Sequence, residues 1–234
     1  MKLIREGLWS TTYQNCSVFV KRLNFWEPAL AVREAYASRT VYCNGILTPK
    51  FLSIKVEQDK HICLQYNYVP MKELSNEDIL SNPALLAQLL ELLNRLSKIP
   101  WEQNDEYWKN NIIKEFEYEL SFLNCDTHKY KVLLHSLVPS GFIHGDFSVF
   151  NMGLIDEKLI IFDFQHGAYG PSGWDKAYFA STMKKKLLWS IPLTPLETQM
   201  AELIAAVRLG RAIKKGLDEI PLRYNIFKSW EKDQ

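Results

Sequence analysis

The stretch FIHGDFSVFNMGLIDEKLIIFDFQHG, Phe142–Gly167, constrains this chain more than any other. Its apolar flanks, FI before and LIIF after, read as short buried strands. Asp146, Asn151 and Asp163 interrupt them. Burying a polar group without a partner costs about 2–7 kcal/mol, so packing alone does not account for three. Met152–Ile155 and Leu159–Phe162 read as a hairpin with Asp156-Glu157-Lys158 as its turn, which returns Asp163 to the side of Asn151. Gly145 lets the chain turn tightly after His144. Three oxygen-bearing side chains then converge on one edge. Such a set suits Mg²⁺, which takes one or two carboxylates, further oxygens, waters and phosphates. Phosphoryl transfer asks for little beyond positioning, charge neutralisation and a carboxylate to take the proton of the attacking hydroxyl. Asp146 fits the base; Asn151 and Asp163 fit the metal.

The rest of the chain sets bounds. Its 234 residues, 47% hydrophobic and 24% charged, suffice for one large domain or two small lobes with a sizeable core. A formal net charge of +1 offers no strong field to gather nucleic acid or an anionic membrane, so neither partner is expected. Cys16, Cys43, Cys63 and Cys125 form no CxxC pair and read as reduced thiols. MKLIREGLWS lacks a continuous apolar run, and no later stretch reaches the roughly 18 apolar residues of a membrane span. A cytoplasmic location is the expectation. Oligomeric state is not legible.

The first third is strand-rich, with candidates at Val18–Leu23, Phe51–Lys55 and His61–Tyr68. Between them, Glu27–Cys43 has Pro28 in its first turn, apolar residues at helical spacing and Asn44-Gly45 at its end, which predicts a helix. The remainder is mostly helical. Asn82–Ile99 carries an Asn cap, a following proline and a broad apolar face; Asp105–Leu123 and Thr194–Gly210 are further helices. The boundary falls near Val69-Pro70-Met71. It separates a β-rich nucleotide lobe, residues 1–69, from a larger catalytic and acceptor lobe, residues 70–234.

HGDFSVFN followed by IIFDFQHGAYGPSGWDKA resembles the aminoglycoside phosphotransferase and choline kinase superfamily. That family shows an HGD-x4-N loop, a D-F/W segment and a GP-x2-WD-x-A segment, all present here in order. REAYASRTVYCNGILTPKFL from Arg33 is similar to the family's helix, turn and next strand. The resemblance covers about residues 18–180 and implies an α+β, protein-kinase-like bilobal fold: a small β-rich lobe with one helix and a larger, mainly helical lobe. It implies Asp146 as catalytic base, with Asn151 and Asp163 holding the metal that bridges the ATP phosphates. It also implies that Lys21 contacts the phosphates and is held by Glu34, thirteen residues on. Asn67, Tyr68 and Val69 fall at the expected hinge, whose backbone would bind adenine.

Two departures stand out. The phosphate-covering loop, expected near Gly7–Ser17, has no glycine after Gly7; Ser10, Thr11 and Thr12 are its candidate donors. Two residues past the base, where relatives often carry His or Lys, stands Ser148. His144 reads as a structural residue, Asp175 as a buttress, and Lys184-Lys185-Lys186 as a solvated face. From Lys176 onward eleven Lys and Arg face six Asp and Glu, which argues against a polycationic acceptor. The reading is an ATP- and Mg²⁺-dependent kinase (GTP possible) acting on a small-molecule alcohol such as an antibiotic, sugar or amino alcohol. A small atypical protein kinase and an ATP-binding pseudokinase scaffold are the alternatives.

Overall fold

The computed structural model describes residues 2–6, 10–102, 104, 106–187 and 191–231. Two compact units divide it. The first holds the chain up to Ile99 together with Val149–Gly167; the second holds Pro100–Ser148 and the chain from Ala168 onward. The segment Phe142–Gly167 is therefore shared by both.

In the first unit, β1 (Lys2–Glu6), β2 (Ser10–Asn15), β3 (Val18–Leu23), β4 (Phe51–Val56) and β5 (Ile62–Asn67) form an antiparallel sheet in the order β1-β2-β3-β5-β4. Helix α1 (Pro28–Cys43) packs on it, with Pro28 at its start as expected. Ala31 and Ala35 are small enough to let the helix approach Leu23, Ile62, Leu64 and Tyr66, and this cluster is the core of the sheet. The phenol ring of Tyr66 meets the edge of Phe51 at 5.7 Å. This close packing brings Glu34 on α1 over Lys21 on β3.

A short helix, α2 (Asn76–Ser81), precedes α3 (Pro83–Leu96). Asn82 caps α3 by accepting from the amides of Ala84 and Leu85. Leu85, Leu89, Leu92 and Leu96 repeat at helical spacing along its buried face. Strand β6 (Lys72–Glu73) pairs with β8 (Met152–Ile155), which pairs with β9 (Lys158–Ile161). The expected hairpin forms with one correction. Lys158 pairs with Ile155, so the turn is only Asp156-Glu157, both at positive φ (47° and 61°). A two-residue turn of this kind matches the twist of the strands it joins. Gln88 on α3 clamps the hairpin, donating to the Glu157 carbonyl at 3.0 Å and accepting from the Leu159 amide at 3.1 Å.

In the second unit, β7 (Pro139–Ile143) pairs antiparallel with β10 (Ala168–Pro171). The same unit holds α4 (Lys114–Leu120), α5 (His128–Ser136), α6 (Trp174–Ser181), α7 (Pro195–Lys215) and α8 (Ile220–Glu231), with α7 packed against the other four. The helix expected over Asp105–Leu123 is regular only from Lys114; Trp108–Ile113 is π-helical, and Asp105 lies outside the described residues. The Trp108 and Trp174 rings meet edge to face at 4.8 Å, both buried. Helix α7 starts with a reciprocal cap between Thr194 and Glu197 and runs to Lys215, five residues past the expected end, where Gly216 in the left-handed region caps it. Among the described residues no helix is long and apolar enough to cross a membrane.

Candidate functional site

In the first unit Lys21 is buried in mid-strand. Its ammonium lies 2.8 Å from Glu34 Oε2 and 2.7 Å from Asp163 Oδ1, with Gln165 Oε1 at 3.4 Å. Tyr66 completes the set by donating its hydroxyl to Glu34 Oε1 at 2.9 Å. Burial by itself would push the lysine pKa down. The carboxylates of Asp163 and Glu34 outweigh it and hold the pKa above the ordinary value, so the ammonium stays charged.

Asn151 closes a short 3-10 turn, Val149–Asn151, and is buried. Its carbonyl accepts from the Phe162 amide at 3.1 Å, the next rung beyond the Met152–Ile161 pair. Asp163 follows Phe162 with φ at 67°, a conformation uncommon outside glycine that Asp tolerates better than most. The hairpin thus puts Asn151 and Asp163 at one end of the β8–β9 ladder, with Lys21 bonded to Asp163. One carboxylate and one amide oxygen fall short of a protein cage for a metal. Among the described residues no group of three or more His, Cys, Asp or Glu is placed to hold one. The donor chemistry fits Mg²⁺ arriving with waters and substrate phosphates.

Ser10, Thr11 and Thr12 stand in β2, opposite Leu23, Arg22 and Lys21. The Thr11 hydroxyl donates to Asn24 Oδ1 at 3.1 Å. Gly7 lies outside the described residues. At the expected hinge, the amide of Asn67 donates to the Lys50 carbonyl at 2.9 Å and that of Tyr68 to the Ser17 carbonyl at 2.8 Å. Val69 follows them directly in the chain.

In the second unit, β7 runs into His144-Gly145-Asp146, with Gly145 at φ 84°. The buried carboxylate of Asp175, at the start of α6, accepts from the His144 amide at 2.8 Å and from the Gly145 amide at 3.0 Å. The Asp146 amide donates to His144 Nδ1 at 3.3 Å. Phe147 is fully buried and meets the Phe179 ring at 6.4 Å. The half-buried Asp146 side chain is therefore presented by a loop anchored on both sides. Ser148 is buried. Two features escaped the sequence. Gln165 joins Lys21, and the buried Tyr178 lies near Asp146. Burial, then the Asp146 charge, pushes the Tyr178 hydroxyl up to about 12 against the opposing pull of Arg208 and Arg211. The WD-x-A spacing, which puts Tyr178 one turn after Asp175, was the available signal.

The model of the phosphotransferase enzyme family matches residues 18–211. The chain belongs to this phosphotransferase family. The match spans the Lys21–Glu34 pair, the hairpin, the Asp175 anchor and most of α7. Solved structures agree at the level of fold. The GDP complex of wild-type aminoglycoside 2'-phosphotransferase-IIIa is 15% identical, with a TM-score of 0.69 over 100% of this chain and 93% of that one. The amicoumacin kinase hAmiN, in complex with AMP-PNP, Ca²⁺ and Ami, gives 13% and 0.72 over 99% and 89%. A choline/ethanolamine kinase family protein from Mesorhizobium loti gives 14% and 0.66 over 99% and 87%. No curated protein matches this phosphotransferase by sequence. The α+β fold expected from the sequence, with its sheet in the N-terminal region and helices in the C-terminal part, is the fold of these kinases.

Proposed function

We propose that this phosphotransferase moves the γ-phosphoryl group of ATP to a hydroxyl of a small molecule, giving a phosphate ester and ADP. The observation that carries this reading is the buried Lys21–Glu34–Asp163 network, which holds one charged ammonium beside one metal-competent carboxylate. The GDP complex of the aminoglycoside 2'-phosphotransferase-IIIa and the AMP-PNP, Ca²⁺ and Ami complex of the amicoumacin kinase support it and leave GTP open as donor.

Residues 1–69 supply the nucleotide side and residues 70–234 the catalytic and acceptor side. Lys21 neutralises phosphate oxygens, and Glu34 keeps it aimed. Ser10, Thr11 and Thr12 line the phosphate side. At the hinge the Asn67 and Tyr68 amides already have acceptors, which shifts the expected backbone donor for adenine to Val69. Asn151 and Asp163 would hold Mg²⁺, which would supply charge neutralisation for the phosphate oxygens. Asp146 orients the acceptor hydroxyl and takes its proton as the new O–P bond forms and the bond to the β,γ-bridging oxygen breaks. Most of the acceleration is electrostatic and positional.

The test is nucleotide-dependent thermal stabilisation together with ADP release across aminoglycosides, macrolides, amino alcohols, sugars and sugar acids, with ³¹P spectra to identify the ester. An acceptor-dependent burst of ADP and a new ester resonance are expected. Stabilisation by ATP with no ester from any small alcohol, but labelled protein from an extract, would replace this reading with that of a protein kinase.

A further inference from the structure

In the second unit three arginines, Arg208, Arg211 and Arg223, lie on α7 and α8, and among the described residues one of them has no carboxylate at ion-pairing distance. Helix α7 presents Arg208 and Arg211, three residues apart and so on one face. Arg211 is bound by Glu115 at 2.9 Å, with Glu119 at 3.6 Å. Arg223 on α8 is held by Glu219, at 2.8 and 2.6 Å, and donates to the Arg208 carbonyl. Arg208 differs. Its Nη1 stands 3.5 Å from the Tyr178 hydroxyl and its guanidinium lies 5.6 Å from the centre of that ring. Among the described residues no carboxylate is within ion-pairing distance of it.

Its position relates it to the chemistry. Tyr178 follows Asp175 by three residues on α6, the same face that anchors the His144–Asp146 loop. Asp146 and Arg208 act in opposite directions on the Tyr178 hydroxyl, which places both charges near it. A half-buried guanidinium gives up part of its hydration, and the ring and hydroxyl of Tyr178 offset that loss only in part because neither carries a negative charge. Arginine presents a planar fork of donors that matches carboxylate and phosphate oxygens two at a time.

We infer that Arg208 anchors an anionic oxygen group of the acceptor, so that the substrate carries a carboxylate or phosphate in addition to the hydroxyl that Asp146 activates. This inference rests on the kinase reading given above and narrows its substrate class. The same cation disfavours acceptors that carry ammonium groups near that position. Tyr178 supports the guanidinium through its ring, and its hydroxyl is bonded to both the anchor and the base.

Matched acceptors test it: glycerol, glycerate, glycerol 3-phosphate and 2-aminopropane-1,3-diol, then glucose, gluconate, glucose 6-phosphate and glucosamine. ADP release gives kcat and KM, and titration calorimetry with a non-hydrolysable ATP analogue present gives binding. The wild-type protein is expected to favour an anionic member over its neutral partner by at least tenfold in kcat/KM, with the amines slowest. Arg208→Ala should raise KM for the anionic acceptor at least tenfold while moving the neutral one less than threefold; Arg208→Lys should recover part of the loss. A wild-type preference for neutral or cationic members overturns the inference. So does an Arg208→Ala effect that falls equally on all acceptors, because the arginine then acts only through Tyr178 and Asp146. If none of the set is turned over, calorimetry decides: anion binding lost in Arg208→Ala sustains the inference, and no anion binding to the wild type overturns it. Failure of the kinase reading shows separately, as no nucleotide-dependent stabilisation.

Discussion

The surroundings of Lys21 and of Asp146 hold a charged side chain in place by opposite means. Lys21 is buried in a strand and fixed by ion pairs to Glu34 and Asp163, with Tyr66 bonded behind Glu34. Asp146 is half-buried and fixed through its backbone: Asp175 grips the two preceding amides, His144 accepts from its own amide, and Phe147 is packed beneath. In the first region the charge proposed to meet the phosphates is itself part of the structural network, so that function and stability would be coupled. In the second the anchoring bonds grip the loop backbone, and the proposed base, the Asp146 carboxylate, meets the Tyr178 hydroxyl, a bond that an amide oxygen can still accept, so chemistry can be removed with little loss of structure.

The sharpest break of this comparison is Asp146→Asn. Loss of a general base costs about 10²–10⁴ in rate. Turnover should fall by that much while nucleotide-dependent stabilisation and the denaturation midpoint stay close to wild type. Near-full turnover with the true acceptor would remove the base assignment. Lys21→Met should behave differently, losing stability as well as turnover. Removing one partner of a buried ion pair costs about 3–5 kcal/mol because the other charge is left alone. Urea denaturation reads this, and a variant as stable as wild type would break the claim of coupling.

Asp175→Asn sits between the two. It keeps one acceptor for the His144 and Gly145 amides and loses the other, together with the charge. A hydrogen bond to a charged group contributes about 1.5–3 kcal/mol, and the midpoint should move accordingly. Turnover should fall too, because the loop that aims Asp146 is loosened. Unchanged kcat with reduced stability would confine Asp175 to structure.

The smallest effect is a slope with pH. Burial pushes the Cys63 thiol up to about 12 from 9.0, and Tyr178 up to about 12 from 10.0. The unfolded chain therefore releases these protons first as pH rises. Stability should fall from pH 9 towards pH 12, with no contribution from either group at neutral pH. Denaturation midpoints at stepped pH measure it. Cys63→Ala should flatten the lower part of the slope and Tyr178→Phe the upper part, one from each unit.

Much of this was legible in the chain. Prolines and caps marked α1, α3 and α7, and the apolar runs around Asn151 and Asp163 marked β8 and β9, because these signals are local. The strands β1 and β2 were not legible. STTYQN is polar on both faces and is a strand because β1 and β3 flank it. β10, AYGP, carries a glycine and a proline and exists because β7 lies beside it. The π-helical turn at Trp108–Ile113 left no pattern distinct from an ordinary helix.

By itself the sequence determined the family, the α+β class and the residue types available for phosphoryl transfer, because spacing along the chain sets which side chains share a loop or a hairpin end. Only the tertiary structure decided the partners. The third member of the Lys21 network comes from 142 residues away, and the carboxylate that anchors the His144–Asp146 loop from about thirty. Arg208, which has no carboxylate at ion-pairing distance among the described residues, could be recognised only once Arg211 and Arg223 had found theirs. Ion pairing and burial depend on distance in space, and no local pattern encodes that distance.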